Sequence, residues 1–88
     1  MFEGETPVAW RSMPPRAPVV RGDGVEFAIA EKLLGDEEAD IFHGILAKRT
    51  DGELVEIPAA RIKRMTELHV VTDLAPAEVS ALSKYSAP

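Results

Sequence analysis

Short runs of β-forming residues alternate with turn signals through most of the chain. The first run, 25–34, places Val25, Phe27 and Ile29 at every second position, and a period of two is typical of a strand. A helix is the competing interpretation, because Ala, Glu, Lys and Leu in AIAEKLL favour helix. The turn signal GDG at 22–24 comes directly before this run and suits a β-hairpin. We therefore predict a strand over 25–34.

The next two runs form the clearest hairpin signal in the sequence. IFHGILAKR at 41–49 is rich in β-formers, and Gly44 at its centre predicts a bend or bulge. Asp51-Gly52 predicts a tight turn, because glycine readily supplies a positive φ. ELVEIP at 53–58 is then the returning strand.

A second group of short elements is predicted after Pro58. PAAR reads as a corner with one 3₁₀ turn, and strands follow at 61–65 and 69–74. Pro76 suits the first turn of a helix. One apolar stripe on this short C-terminal helix would consist of Val79, Leu82 and Tyr85.

These elements predict one mainly β domain, a small β-barrel at 17–74. An extended Pro-rich arm at 1–16 precedes it, and a short C-terminal helix and tail at 75–88 follow it. The arm contains Trp10, which either packs across the barrel or belongs to a disordered tail as a docking aromatic. Packing is favoured, because exposed tryptophan is uncommon.

Composition restricts the possible functions. Eighty-eight residues suffice for one domain with a small core, and the absence of cysteine excludes disulfides and thiolate chemistry. No apolar run approaches the ~18 residues of a membrane span, and the N-terminus does not resemble a signal peptide, so we expect a cytoplasmic protein. The net charge of −5 argues against general nucleic-acid binding.

The acidic stretch GDEEADIFHG at 35–44 is the first candidate for chemistry. It could be a metal or acid/base site, or the solvated loop before a strand. Its adjacent acids do not have the alternating spacing of a calcium loop, and His69, the only histidine besides His43, lies in another predicted strand. The loop is therefore the favoured interpretation. We predict no catalytic residue, no metal and no cofactor, and hence no enzyme.

The basic residues Arg61, Lys63 and Arg64 are the second candidate. Alternation would place Arg61 and Lys63 on one face of a strand and Arg64 on the other. They could lie on a solvated face and pair with Glu53 and Glu56 across the sheet. Alternatively, they could contact an acidic protein surface, RNA or anionic lipid.

Several segments together resemble the PRC-barrel superfamily, over roughly residues 17–85. They are the Asp23-Gly24 turn, DIFHGIL, IPAARIKRMTE, HVVTDL and the final E-x-x-x-L-x-x-Y. That superfamily includes the cytoplasmic barrel of the photosynthetic reaction centre H subunit and many small stand-alone prokaryotic proteins. The chain departs from the family at Phe27-Ala28, where Val-Gly is frequent. The resemblance implies a binding or scaffolding module, often dimeric, and not an enzyme.

The sequence thus predicts a non-catalytic protein-interaction module that self-associates, most simply as a homodimer. The alternative is a small RNA- or ribosome-associated barrel that uses the basic residues. The residues predicted to bind a partner are Trp10, Phe42, Arg61, Lys63 and Arg64.

Overall fold

The computed structural model describes residues 4–36 and 38–84. In this part of the chain six strands form one sheet in the order β4-β3-β2-β1-β6-β5. The strands are β1 Pro18–Val20, β2 Glu26–Asp36, β3 Ile41–Arg49, β4 Leu54–Pro58, β5 Ile62–Met65 and β6 Val70–Thr72. Two 3₁₀ turns, Trp10–Ser12 and Ala59–Arg61, and one short helix, α1 Pro76–Ser80, complete the described elements. The predicted mainly β architecture with a short C-terminal helix is confirmed.

Both glycine-containing turns form hairpins as predicted. Gly24 has a φ of 86° in the β1–β2 turn, where the Arg21 N–H donates to the Val25 carbonyl at 2.9 Å. Gly52 has a φ of 89° in the β3–β4 turn. Positive φ is costly for residues with a Cβ, so glycine at these positions fixes where the chain reverses. β1 and β6 are the parallel pair, and the other neighbouring strands run antiparallel.

The predicted alternation along 25–34 is wrong in detail. Val25, expected on the same face as Phe27, is 49% exposed, whereas Phe27, Ala28 and Ala30 are all buried. The reason is two irregularities that interrupt the period of two: one in the β1–β2 pairing and one between Ala30 and Lys32 in the β2–β3 pairing. A bulge inserts one residue and reverses the facing of the side chains beyond it.

The core lies on one face of the bent sheet. Its centre is formed by fully buried residues of β3 and β4, namely Ile45, Ala47, Val55 and Ile57, together with Val19 and Val70 from β1 and β6. Val79 and Leu82 pack against this core from the C-terminal segment, as the predicted stripe requires, while Tyr85 lies outside the described residues. The Glu78 carboxylate accepts the Ala75 N–H at 3.0 Å and so caps α1.

The two edge strands of the sheet are β4 and β5, and each is covered by a terminal segment. The N-terminal arm pairs with the end of β5: Val8 N–H donates to the Met65 carbonyl at 2.9 Å, and Glu67 N–H donates to the Thr6 carbonyl at 3.0 Å. On β4, Glu56 N–H donates to the Ser83 carbonyl at 3.0 Å. No ladder joins β4 to β5 within the described ranges. The closed barrel therefore stays a prediction.

The region of the basic residues differs from the prediction. Arg61 lies in the 3₁₀ turn and not in a strand, and the β5–β6 register shifts between Ile62 and Arg64. Lys63 and Arg64 are both exposed on β5. The simple two-faced strand expected for 61–65 is thus replaced by a turn followed by a bulged strand of four residues.

Candidate functional site

The sheet has a second face, opposite the core, built by β2, β3 and β4. The strand register places nine residues there in three rows that each cross the three strands. The rows are Ile29–Lys48–Leu54, Lys32–Leu46–Glu56 and Leu34–Gly44–Pro58. We call these nine residues the outer face. Five of them are apolar side chains on strands whose other side already supplies the core, so the face is more apolar than a purely solvated one would be.

Leu46 lies at the centre of the outer face. It is only 8% exposed, yet it is not part of the core cluster, to which its neighbours Ile45 and Ala47 belong. The register places Lys32 on one side of it and Glu56 on the other. Long charged side chains cover apolar neighbours with their aliphatic parts. Leu46 therefore lies between two long charged side chains whose aliphatic parts can cover it.

Three shallow depressions lie along this face. The largest, with a volume of about 350 Å³, is lined by Glu31, Leu46, Lys48, Gly52 and Leu54. A second of about 290 Å³ shares Glu31 and Lys48 with it and extends to Ile29. A third of about 260 Å³ lies at the other end, beside Leu34, Glu56 and Pro58. These open depressions suit side chains of a partner surface better than a fully enclosed small ligand.

The charged side chains on and beside the outer face differ from other surface charges in their ion pairing. Among the described residues, no ion pair within 4.0 Å involves Lys32, Lys48, Glu56 or the neighbouring Glu31. Elsewhere on the surface, charged groups do pair within the chain, as Arg21 does with Asp23 at 2.6 Å. The outer face and the adjoining Glu31 therefore present two acids and two bases that have no ion-pair partner within 4.0 Å among the described residues.

Two backbone irregularities shape this face. The register shift between Ala30 and Lys32 makes Glu31 an extra residue that lines two of the depressions. Gly44 has a φ of 148°, and a Cβ placed there would lie 2.1 Å from the Ile57 carbonyl oxygen. The irregularity predicted at Gly44 is present, because the β2–β3 register shifts where the partner on β3 changes from Gly44 to Phe42. The close approach of β3 and β4 was not predicted, and only glycine allows it.

Trp10 and Phe42, which were predicted to bind a partner, contact each other. Their rings stack with centroids 5.4 Å apart and planes inclined by 17°. The Arg11 guanidinium lies 5.2 Å from the Trp10 ring and pairs with Asp40 at 3.1 Å. Trp10 is half-buried and packs against the core cluster. The arm therefore packs on its own chain, and much of the aromatic surface of both rings is used internally.

Arg61, Lys63 and Arg64, the predicted basic cluster, do not form one basic patch in the structure. The Arg61 guanidinium pairs with Asp73 at 2.7 Å and with Glu78 at 2.6 Å, not with Glu53 or Glu56 as expected. These contacts raise the pKa of Arg61 and lower that of Glu78, chiefly through the hydrogen bond that the two share. The three charges together are net negative. Only Lys63 and Arg64 remain as the exposed basic residues of the predicted cluster.

The acidic stretch 35–44, apart from Glu37, which lies outside the described residues, forms the end of β2, a turn and the start of β3. The Asp36 carboxylate accepts the N–H groups of Glu38 at 3.0 Å and Ala39 at 3.2 Å, which is a local turn motif. Asp40 adopts a φ of 55° and reaches Arg11. Within the ranges 4–36 and 38–84, no group of three or more potential metal ligands is present.

One polar cluster was not predicted. The Thr66 hydroxyl donates to Glu5 Oε1 at 2.6 Å, and His69 Nδ1 lies 2.8 Å from both Glu5 oxygens. The Thr66 hydrogen bond is the largest cause that lowers the pKa of Glu5, and His69 adds to it. The carboxylate lies between hydroxyl and imidazole, so histidine cannot take the hydroxyl proton as a base would. The cluster instead fastens the arm to the β5–β6 turn.

The outer face also escaped prediction from the sequence, although a signal for it exists. Apolar residues stand side by side in Ile45-Leu46, Leu54-Val55 and Leu33-Leu34. Adjacent apolar residues in a strand point to opposite faces, so each pair marks apolar character on both sides of the sheet. The register was needed to show that three such pairs meet on neighbouring strands.

Comparison with known proteins does not assign a family. No protein-family model matches the chain, and a search of curated proteins found no similar sequence. The helices of the described segments are all too short to cross a lipid bilayer.

Proposed function

We propose that this chain is a non-catalytic protein-interaction module of PRC-barrel type that self-associates through the outer face. The observation that supports it most strongly is the apolar outer face itself. Leu46, Leu54 and Ile29 lie on strands that already bury a complete core on their other side. An apolar sheet face with polar surroundings is typical of an interaction surface.

The area of the outer face determines how tightly we expect two copies to bind. Three strands about 4.8 Å apart and three rows about 6.8 Å apart give roughly 300 Å² in each copy. That is less than the roughly 800 Å² per partner of a stable complex, although the flanking loops add to it. We therefore propose a weak, reversible dimer, with a dissociation constant between about 10 µM and 1 mM, or about −7 to −4 kcal/mol.

The RNA-associated alternative has less support. Arg61 is held by two carboxylates, and only Lys63 and Arg64 remain exposed from the predicted basic cluster. Few phosphate contacts mean weak and strongly salt-dependent binding. A titration with a labelled single-stranded RNA at low salt would revive this alternative if it gave tight saturable binding. The cytoplasmic location expected from the sequence stays a prediction.

Sedimentation equilibrium of the wild type and two variants tests the proposal. Leu54→Glu places a charge on the outer face, where Leu54 is 37% exposed. Leu68→Glu makes the same chemical change at a residue that is 55% exposed in the β5–β6 turn, away from this face. We expect the wild type and Leu68→Glu to dimerise alike and Leu54→Glu to remain monomeric. A wild type that is monomeric up to about 1 mM, or equal loss of dimer in both variants, would overturn the proposal.

A further inference from the structure

We infer that the occupant of the outer face is a second copy of this chain in a two-fold symmetric dimer, in which Lys32 of each copy lies opposite Glu56 of the other. The inference rests on the proposed function and adds the orientation of the two copies. It also names the charge pairs that give the dimer its specificity.

The central row of the outer face carries opposite charges on either side of one apolar residue. Lys32 on β2 and Glu56 on β4 both flank Leu46 on β3. A two-fold axis that runs parallel to β3 between two stacked sheets places β2 of one copy over β4 of the other. Leu46 then meets Leu46, and each copy contributes one lysine and one glutamate to two equivalent ion pairs.

The remaining rows fit the same axis. Ile29 lies over Leu54 in the first row, and Leu34 lies over Pro58 in the third, so apolar residues meet apolar residues on both sides of β3. Aligned stacking of two sheets about 10 Å apart is an ordinary packing arrangement. Gly44 faces Gly44 of the other copy across the axis, and the absence of side chains there allows close approach.

Lys48 is the charged residue of the outer face that this axis places opposite its own copy. Glu31 lines two depressions together with Lys48 and has no intrachain ion pair within 4.0 Å among the described residues. The bulge that brings Glu31 to this position thus supplies an acid beside each Lys48. The repulsion between the two lysines is offset by these two carboxylates.

The edges of the sheet are less available for a second copy than its face. The arm covers β5 at Met65–Glu67 through two backbone hydrogen bonds, and Ser83 covers β4 at Glu56. Lys63, beside the register shift of β5, also disfavours pairing of this edge with another strand. Face-to-face association is therefore favoured over edge-to-edge addition of strands.

Complementary charge reversal tests the orientation. Lys32→Glu alone places two glutamates opposite each other in both pairs, and Glu56→Lys alone places two lysines there. We expect each variant to dimerise at least about tenfold more weakly than the wild type, and their equimolar mixture to recover affinity within about threefold. With one variant ¹⁵N-labelled, native mass spectrometry then shows mainly the mixed dimer. The two variants carry net charges of −7 and −3, compared with −5 for the wild type. Both net charges are negative, so attraction between them does not explain the formation of mixed dimers.

A matched pair away from the face serves as control. Lys63→Glu and Glu67→Lys, both at exposed positions, give the same net charges and should show no preference for the mixed dimer. Thermal melts confirm that all four variants fold. If the wild type is dimeric but the Lys32→Glu and Glu56→Lys variants dimerise normally or mix at random, the proposed orientation is wrong and self-association still holds. If the wild type is monomeric, both the orientation and self-association are wrong.

Discussion

Gly44 is the residue at which a single added methyl group should do most damage. In Gly44→Ala, the new Cβ would lie 2.1 Å from the Ile57 carbonyl oxygen, where ordinary contact begins at 3.4 Å. β3 and β4 would have to separate locally by about 1 Å, at a cost of roughly one or two ladder hydrogen bonds of about 1 kcal/mol each. The φ of 148° adds about 1–3 kcal/mol for a residue with a Cβ. We expect a total loss of about 2–5 kcal/mol.

Such a loss is large for this chain, because an 88-residue domain has a stability of about 4–13 kcal/mol. Urea and thermal unfolding should show it as a lower midpoint and a Tm reduced by about 8 °C or more. Gly52→Ala is the matched control: its φ is also positive, at 89°, but nothing lies within 4 Å of the added Cβ. It should cost only about 1–2 kcal/mol. Equal losses in the two variants would refute the close approach of β3 and β4 at Gly44.

Three further predictions concern the arm and the helix. The pKa of Glu5 is below its usual 4.5, so the contribution of Glu5 to stability is present above pH 4.5 and is lost as the pH falls through the folded-state pKa. Glu5→Gln should therefore flatten this part of the Tm–pH curve, and an unchanged curve would contradict this prediction. A double-mutant cycle of Trp10→Ala and Phe42→Ala should give a coupling of about 0.5–1.5 kcal/mol, and additive losses would exclude the stack in solution. Arg61→Met should lower the Tm by an amount that shrinks at high salt, whereas a salt-independent loss would argue against the pairing with Asp73.

The turns and most strands could be predicted because their signals are local. Asp51-Gly52, Asp23-Gly24 and Pro76 each fix a backbone conformation through the residue that stands there. Gly44 could be predicted as a bend for the same reason. The facing of Val25 could not, because it depends on irregularities in the pairing with neighbouring strands that no local pattern reveals.

The candidate site was harder to predict because it depends on the register of three strands. Lys32, Leu46 and Glu56 are far apart in the sequence pattern, and only pairing across the sheet brings them into one row. Trp10 is a candidate for partner binding because it is a large aromatic residue. Its ring stacks on Phe42 of the same chain, however, and this contact uses much of its surface. Arg61 does not form part of a basic patch for a similar reason, because the fold brings Asp73 and Glu78 into ion pairs with its guanidinium.

Amide chemical shifts of ¹⁵N-labelled wild-type protein, followed on dilution, test self-association through the outer face most directly. As dimers dissociate, we expect the largest shift changes at Lys32, Leu46, Leu54 and Glu56, and little change on β5. Concentration-dependent changes confined to β5, or spectra that do not change at all between about 1 mM and 10 µM, would contradict the account.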